Sequence, residues 1–70
     1  MDFENQCVSF TKRELEVLFL IVEGLTAKEI AKLLHITNAT VVRHKTNLMS
    51  KIGARNTAQL IYKSFQTGIL

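Results

Sequence analysis

The pattern Thr-x-x-Glu occurs twice within the first thirty residues, at Thr11–Glu14 and Thr26–Glu29, each time flanked by apolar residues. In such a pair the Thr hydroxyl accepts from one orphan amide of a helix's first turn. The Glu carboxylate accepts from another. Asn56 and Gln59 repeat the pattern, and Thr37 opens a further periodic stretch. Phe10 with Leu15, Leu25 with Ile30, and Ile36 with Val41 stand where hydrophobic staples belong. Gly24, Gly53 and Gly68 follow three of the four stretches, where a left-handed residue ends a helix. The chain has no proline. Starts and stops agree on one solution. It is an all-α, four-helix domain, with helices at about 12–23, 27–34, 38–52 and 57–67.

Seventy residues make one domain at most. Residues 1–9 lack periodicity and read as a tail or linker, with the domain at 10–70. The closing Gly68-Ile69-Leu70 is expected to fold its apolar side chains onto the core. Cys7 is the single cysteine, so no internal disulfide is possible and the chain reads as cytoplasmic. Cys7, His35 and His44 lack the short spacings of zinc ligands, so no metal or other cofactor is expected. The longest apolar run, Val17 to Val22, is far short of the roughly 20 residues that cross a bilayer. There is no glycine-rich phosphate loop, no paired carboxylates and no Cys/His nucleophile arrangement, which argues against an enzyme.

Charge divides the chain. Residues 1–35 carry four cations against six acids, net −2. Residues 36–70 carry Arg43, Lys45, Lys51, Arg55 and Lys63 against no acid, net +5. An acid-free half is the footprint expected of a phosphate-binding surface. A solvated basic face is the plainer reading.

Helix three sits inside that half. On a wheel of about 100° per residue, Val41, Leu48 and Ile52 point one way, flanked by Lys45 and Met49. Val42, Arg43, Thr46 and Ser50 lie broadly opposite. Helix two presents Ile30, Leu33 and Leu34 on one side. The small Ala31 permits close approach of another helix, and His35-Ile36 makes a short turn before Thr37. Small residue, short turn and flanking aliphatics are the requirements of a helix-turn-helix.

At these residues the chain resembles the DNA-binding domain of LuxR/GerE/NarL-type transcription regulators. The resemblance is carried by FTKRELEVL (Phe10–Leu18), EGLTAKEIAKLLHIT (Glu23–Thr37), ATVVRHKTNLMSKIGA (Ala39–Ala54) and the closing GIL. It covers residues 10–70, with its segments in order. It implies that helix three enters the major groove of double-stranded DNA and that helix four pairs two copies. Positions matching Val42, Arg43 and Thr46 would face base edges. Lys28, Thr37, Thr40, His44, Lys45 and Lys51 form the implied phosphate set.

Two departures alter this expectation. Family members usually carry Lys or Arg at the position of Val42, which has no donor for guanine but suits a thymine methyl. Arg43 then becomes either the main reader, bidentate to guanine, or a phosphate-only or solvated arginine. Leu15 and Phe19 stand at often-polar positions and, as i,i+4 neighbours, make one outward stripe. That stripe is either an extension of the core or a surface for a regulatory domain or protein partner. His44 fits a phosphate contact or a half-buried packing role equally well.

In helix four, Leu60, Ile61, Ser64 and Phe65 form an inner or interfacial set, and Ala58 with Tyr62 a flatter side. The resemblance directs Ala58, Ile61, Tyr62 and Phe65 to a homodimer contact. The expected function is sequence-specific DNA binding in transcription regulation, by a free-standing protein or the C-terminal module of a longer one. The alternative is a protein-interaction module of the same fold that has lost DNA binding and pairs with another regulator.

Overall fold

The computed structural model describes residues 10–69. Among them lie four helices and no strand: α1 (Lys12–Val22), α2 (Ala27–Leu34), α3 (Asn38–Ile52) and α4 (Thr57–Gln66). The tail at 1–9, with Cys7, and the final Leu70 lie outside the described residues.

Both Thr-x-x-Glu pairs close as reciprocal capping boxes. Thr11 Oγ1 accepts from the Glu14 amide at 3.0 Å, and Glu14 Oε1 accepts from the Thr11 amide at 3.1 Å. Thr26 and Glu29 repeat the arrangement at 3.2 and 2.8 Å. The Asn56–Gln59 pair closes differently. Asn56 Oδ1 takes the Gln59 amide at 2.8 Å, but the Gln59 side chain accepts from Arg55, one residue earlier, at 2.9 Å. Helices one and four each stop a residue sooner than their spacing suggests, because Glu23 and Thr67 are caps.

α1 ends in a paired backbone closure. The Gly24 amide donates to Ile21 and the Leu25 amide to Leu20, at 2.9 and 3.1 Å. Gly24 holds φ +97°, which an L side chain rarely adopts. α2 ends likewise, but with a histidine in the left-handed position. His35 has φ 60° and ψ 42°, and the following Ile36 amide donates to Ala31 at 3.0 Å. That turn sends the chain from α2 into α3 within three residues, His35 to Thr37.

The core is Val17, Leu18 and Ile21 of α1, Ile30 and Ala31 of α2, Val41 and Leu48 of α3, and Leu60 of α4. Each large aliphatic buried here contributes about 1.5–3 kcal/mol. Phe10, Leu34, Ile36, Ile52 and Ile69 are half-buried against this cluster. Ser64 is buried as well, its hydroxyl donating to the Leu60 carbonyl at 2.7 Å. The grouping of apolar side chains on α2 is corrected. Leu33 does not join Ile30 and Leu34 but stands 56% exposed. The inner face of α2 is closed by Ala27, Ile30, Ala31 and Leu34 instead.

Candidate nucleic-acid interface

α3 is amphipathic by position rather than by composition. Val41 and Leu48 are sealed in the core, and Ile52 packs on it. Val42, Arg43, Thr46, Asn47 and Ser50 are all exposed. Val42 is 47% exposed, an aliphatic held in water on a face otherwise polar. Asn47 was not singled out from the sequence. Its exposure one turn beyond Arg43 is what brings it onto this face.

The start of α3 is held by hydroxyls. Thr37 Oγ1 accepts from the Thr40 amide at 3.1 Å and shares a 2.8 Å hydrogen bond with Thr40 Oγ1. There is no acid in the first turn, unlike α1 and α2, so nothing there neutralises the positive end of the helix dipole. Lys28 is exposed on the first turn of α2. His44 and Lys45 are half-buried. The Lys45 stem lines an open depression of about 250 Å³ with Leu25, Ile30 and Val41. Long lysine stems cover apolar walls in this way while the ammonium reaches water.

The five cations of the acid-free half are not equivalent. Lys51 Nζ donates to Glu14 Oε1 at 2.7 Å and stands 5.7 Å from the centroid of the Phe10 ring. Glu14 is only 3% exposed. Its carboxyl is held below the usual range, first by this hydrogen bond from Lys51 and further by Thr11 and by the positive potential of Lys51 and His44, against the opposing effect of burial. Lys63 Nζ donates to the Gly53 carbonyl at 3.0 Å, just past the end of α3. The side chains of Arg43, Lys45 and Arg55 make no hydrogen bond or ion pair to any described residue. The basic surface is therefore narrower than the charge count suggests. Lys51, expected on phosphate, is engaged by Glu14. Arg55, left out of the expected phosphate set, is exposed in the loop before α4.

The remaining candidate residues lie on α4 and α1. On α4, Leu60 and Ser64 face inward and Ile61 is half-buried against the core. Ala58 is exposed, with Tyr62 at 62% and Phe65 at 59%, so an aromatic stripe runs along the outer side. On α1, Phe19 is 47% exposed, and Leu15 is half-buried without joining the side chains packed on the core. Among the described residues, neither side chain of the stripe belongs to the core cluster. Among the described residues no cluster of His, Cys, Asp and Glu is arranged to hold a metal ion, and no helix is long and apolar enough to cross a membrane.

Two helices joined by a three-residue turn, the second with a buried aliphatic face and an exposed polar one, define a helix-turn-helix domain. Residues 8–64 match the family described as bacterial regulatory proteins, luxR family, and the chain belongs to that family. It is 40% identical over 65 residues to the transcriptional regulatory protein LnrK of Bacillus subtilis, covering 93% of this chain and 30% of that protein. It is 38% identical over 60 residues to the response regulator protein VraR of Staphylococcus aureus, covering 86% of this chain and 29% of the relative. The chain therefore spans about three-tenths of the length of these relatives. Among solved structures it superposes on the response regulator ChrA of a heme-sensing two-component system with a TM-score of 0.85 and 30% identity, over 90% of this chain and 31% of that one. It also superposes on VqmA from a Vibrio cholera VqmA–ligand–DNA complex with a TM-score of 0.82 and 38% identity, over 87% and 27% of the two chains.

Proposed function

We propose that this chain binds double-stranded DNA in a sequence-specific manner and regulates transcription, with α3 as the recognition helix. The observation that carries the reading is the division of α3 itself. Its inner face is committed to the core, while Arg43, Thr46 and Asn47 project into solvent beside cations that make no hydrogen bond or ion pair among the described residues. A helix with that outer face fits a major groove about 12 Å wide. Val42 contacts a thymine methyl, Arg43 reads guanine O6 and N7, and Thr46 completes the base-facing set. Lys28, Thr40, His44 and Lys45, joined by Arg55, lie toward the phosphates, with Thr37 holding the Thr40 hydroxyl in place. The DNA present in the VqmA complex, a neighbour of the same fold, supports the assignment.

The active form is a homodimer through α4. Ala58, Tyr62 and Phe65 form its contact, with Ile61 supporting them from the core side. Two-fold pairing presents two recognition helices to inverted half-sites about one helical turn apart. The setting for such a regulator is the bacterial cytoplasm.

A second reading rests on Phe19, 47% exposed, with Leu15 one turn before it on α1. In it the chain is an interaction module that docks a protein on α1 and does not touch DNA. Selection from a random duplex library separates the two. A DNA reader enriches a palindromic motif, binds it well above a scrambled duplex, and weakens with salt by about 0.9 log units per log unit for each phosphate contacted. Absence of enrichment and of salt-dependent binding defeats the first reading and leaves the second.

A further inference from the structure

The Glu14 carboxylate does two jobs with one oxygen. Oε1 accepts from the Thr11 amide to close the cap of α1 and also accepts from Lys51 Nζ in the last turn of α3, 37 residues away. A capping box asks only for an acceptor at its third position, and glutamine serves there as well as glutamate. The charge at residue 14 is therefore not explained by the cap. Burying it to 3% exposure costs free energy unless a cation is held against it, and Lys51 is that cation. The Phe10 ring, half-buried at the start of the domain, closes over the ammonium at 5.7 Å.

The placement matters for α3. Lys51 is eight residues from Arg43, about 12 Å along the helix at 1.5 Å per residue. Between them the inner face is held by Leu48, with Val41 before it, and aliphatic contacts are non-directional. Packing of this kind sets the crossing of a helix with a scatter of about 15–20°. The charge-assisted hydrogen bond from Lys51 to Glu14, at 2.7 Å, adds a tie between the last turn of α3 and the first turn of α1. The electrostatics of the ends agree with it. Glu14 lies in the first turn of α1 and Lys51 in the last turn of α3, each at the helix end that favours its charge.

We propose that Glu14 and Lys51 are positioning residues for sequence recognition: their ion pair sets the orientation in which α3 presents Arg43 and Thr46, and Lys51 is not a phosphate contact. This inference rests on the DNA-binding reading above.

The test uses the full chain and three variants. Glu14→Gln keeps the cap acceptor and removes the buried charge, so it folds even where Lys51→Met, which strands that charge, does not. Lys51→Arg keeps charge and donors. Binding is measured by fluorescence anisotropy on the duplex enriched from a random library and on its scrambled counterpart, over a salt series, well below each variant's unfolding midpoint. Amide spectra are recorded on the free proteins.

In Glu14→Gln the amide resonances of Arg43 and Thr46 move. The ratio of selected to scrambled affinity falls roughly ten-fold, within what one bidentate base contact discriminates. The salt slope stays that of the wild type, and Lys51→Arg retains the wild-type ratio. Shifts confined to residues next to the pair, with the ratio unchanged, overturn the proposal and leave the pair a local stabiliser. So does a Lys51→Met chain that weakens on both duplexes alike with a slope shallower by about 0.9, the mark of a lost phosphate contact. A wild-type chain that enriches no duplex overturns the DNA-binding reading and this inference with it. A wild-type chain that discriminates, beside a Glu14→Gln chain that discriminates as well, overturns this inference alone.

Discussion

At its C-terminal end α3 carries Lys51, bonded to Glu14 of α1, and is followed by Gly53, whose carbonyl takes the Lys63 ammonium of α4. At its N-terminal end it carries two threonine hydroxyls bonded to each other, no acid, and a preceding turn with His35 in a left-handed conformation. One end has its cations bonded to protein acceptors. The N-terminal half of α3 carries Arg43 and, at its midpoint, Lys45, whose side chains make no hydrogen bond or ion pair among the described residues. The same residue types, in the same acid-free half, are employed in opposite ways. What distinguishes them is a partner on another helix, Glu14 in one case and a helix-ending carbonyl in the other. A net charge of +5 over residues 36–70 therefore overstates the surface offered to a polyanion.

The comparison breaks most visibly at Lys51. Replacing it with methionine leaves a carboxylate at 3% exposure without its cation, and domain stability falls by about 3 kcal/mol in chemical denaturation. The pH dependence has a definite sign. The Glu14 carboxyl is lowered from its ordinary value of 4.5 in the folded state, mainly by the Lys51 hydrogen bond. The stabilisation is present in full above that ordinary value and is lost as pH falls through the lowered one. Thermal melts from pH 6 to pH 3 should show a wild-type midpoint that drops on acidification more steeply than that of Glu14→Gln. Equal slopes would mean that the pair contributes nothing net.

Smaller effects belong to the outer faces. Tyr62→Lys with Phe65→Lys alters positions about three-fifths exposed, so monomer stability changes by less than about 0.5 kcal/mol. If α4 pairs two copies, affinity for a two-half-site duplex falls by roughly a hundred-fold, the lower end of what linking two sites gains. Affinity for a single half-site is unchanged. Arg43→Ala removes one reader. It should relax one base position by about 1–3 kcal/mol, whereas Lys45→Ala weakens all sequences alike and lowers the salt slope. Uniform weakening by Arg43→Ala would move that residue to the phosphate set.

The four helix starts were legible because caps are local. A hydroxyl and an amide three residues apart find each other whatever the rest of the fold does. The inner face of α3 was legible because fifteen residues give the 3.6 period room to repeat. α2 has eight residues, too few for the period to choose between flanks, and Leu33 fell on the wrong side. The contact between Lys51 and Glu14 was illegible for a different reason. The two residues are distant in sequence, and Glu14 already had a role in the capping box. The luxR family resemblance located the helix-turn-helix, yet nothing in the spacing of residues 36–70 separates a cation facing Glu14 from one facing solvent.

The smallest effect sharpens the comparison at the other end of α3. His35 holds φ 60° and ψ 42° at an exposed position, the one non-glycine residue with positive φ among those described. Left-handed backbone costs an L residue about 1–2 kcal/mol, less for polar residues that tolerate it. Glycine removes that cost but loses more freedom on folding, an offset of about 0.4–1 kcal/mol. His35→Gly should therefore gain only about 0.5 kcal/mol, raising the melting midpoint by about 2–4 °C for a domain of this size. His35→Val should lose more than that, because a β-branched side chain fits the left-handed region worst. The DNA affinity of His35→Gly separates two roles for the strain. Unchanged affinity makes the turn a neutral joint, and the orientation of α3 is then set from its Glu14–Lys51 end. A glycine variant that is more stable but binds DNA less tightly would mean that the strained turn helps aim the helix, and that both ends, held by different means, share the task.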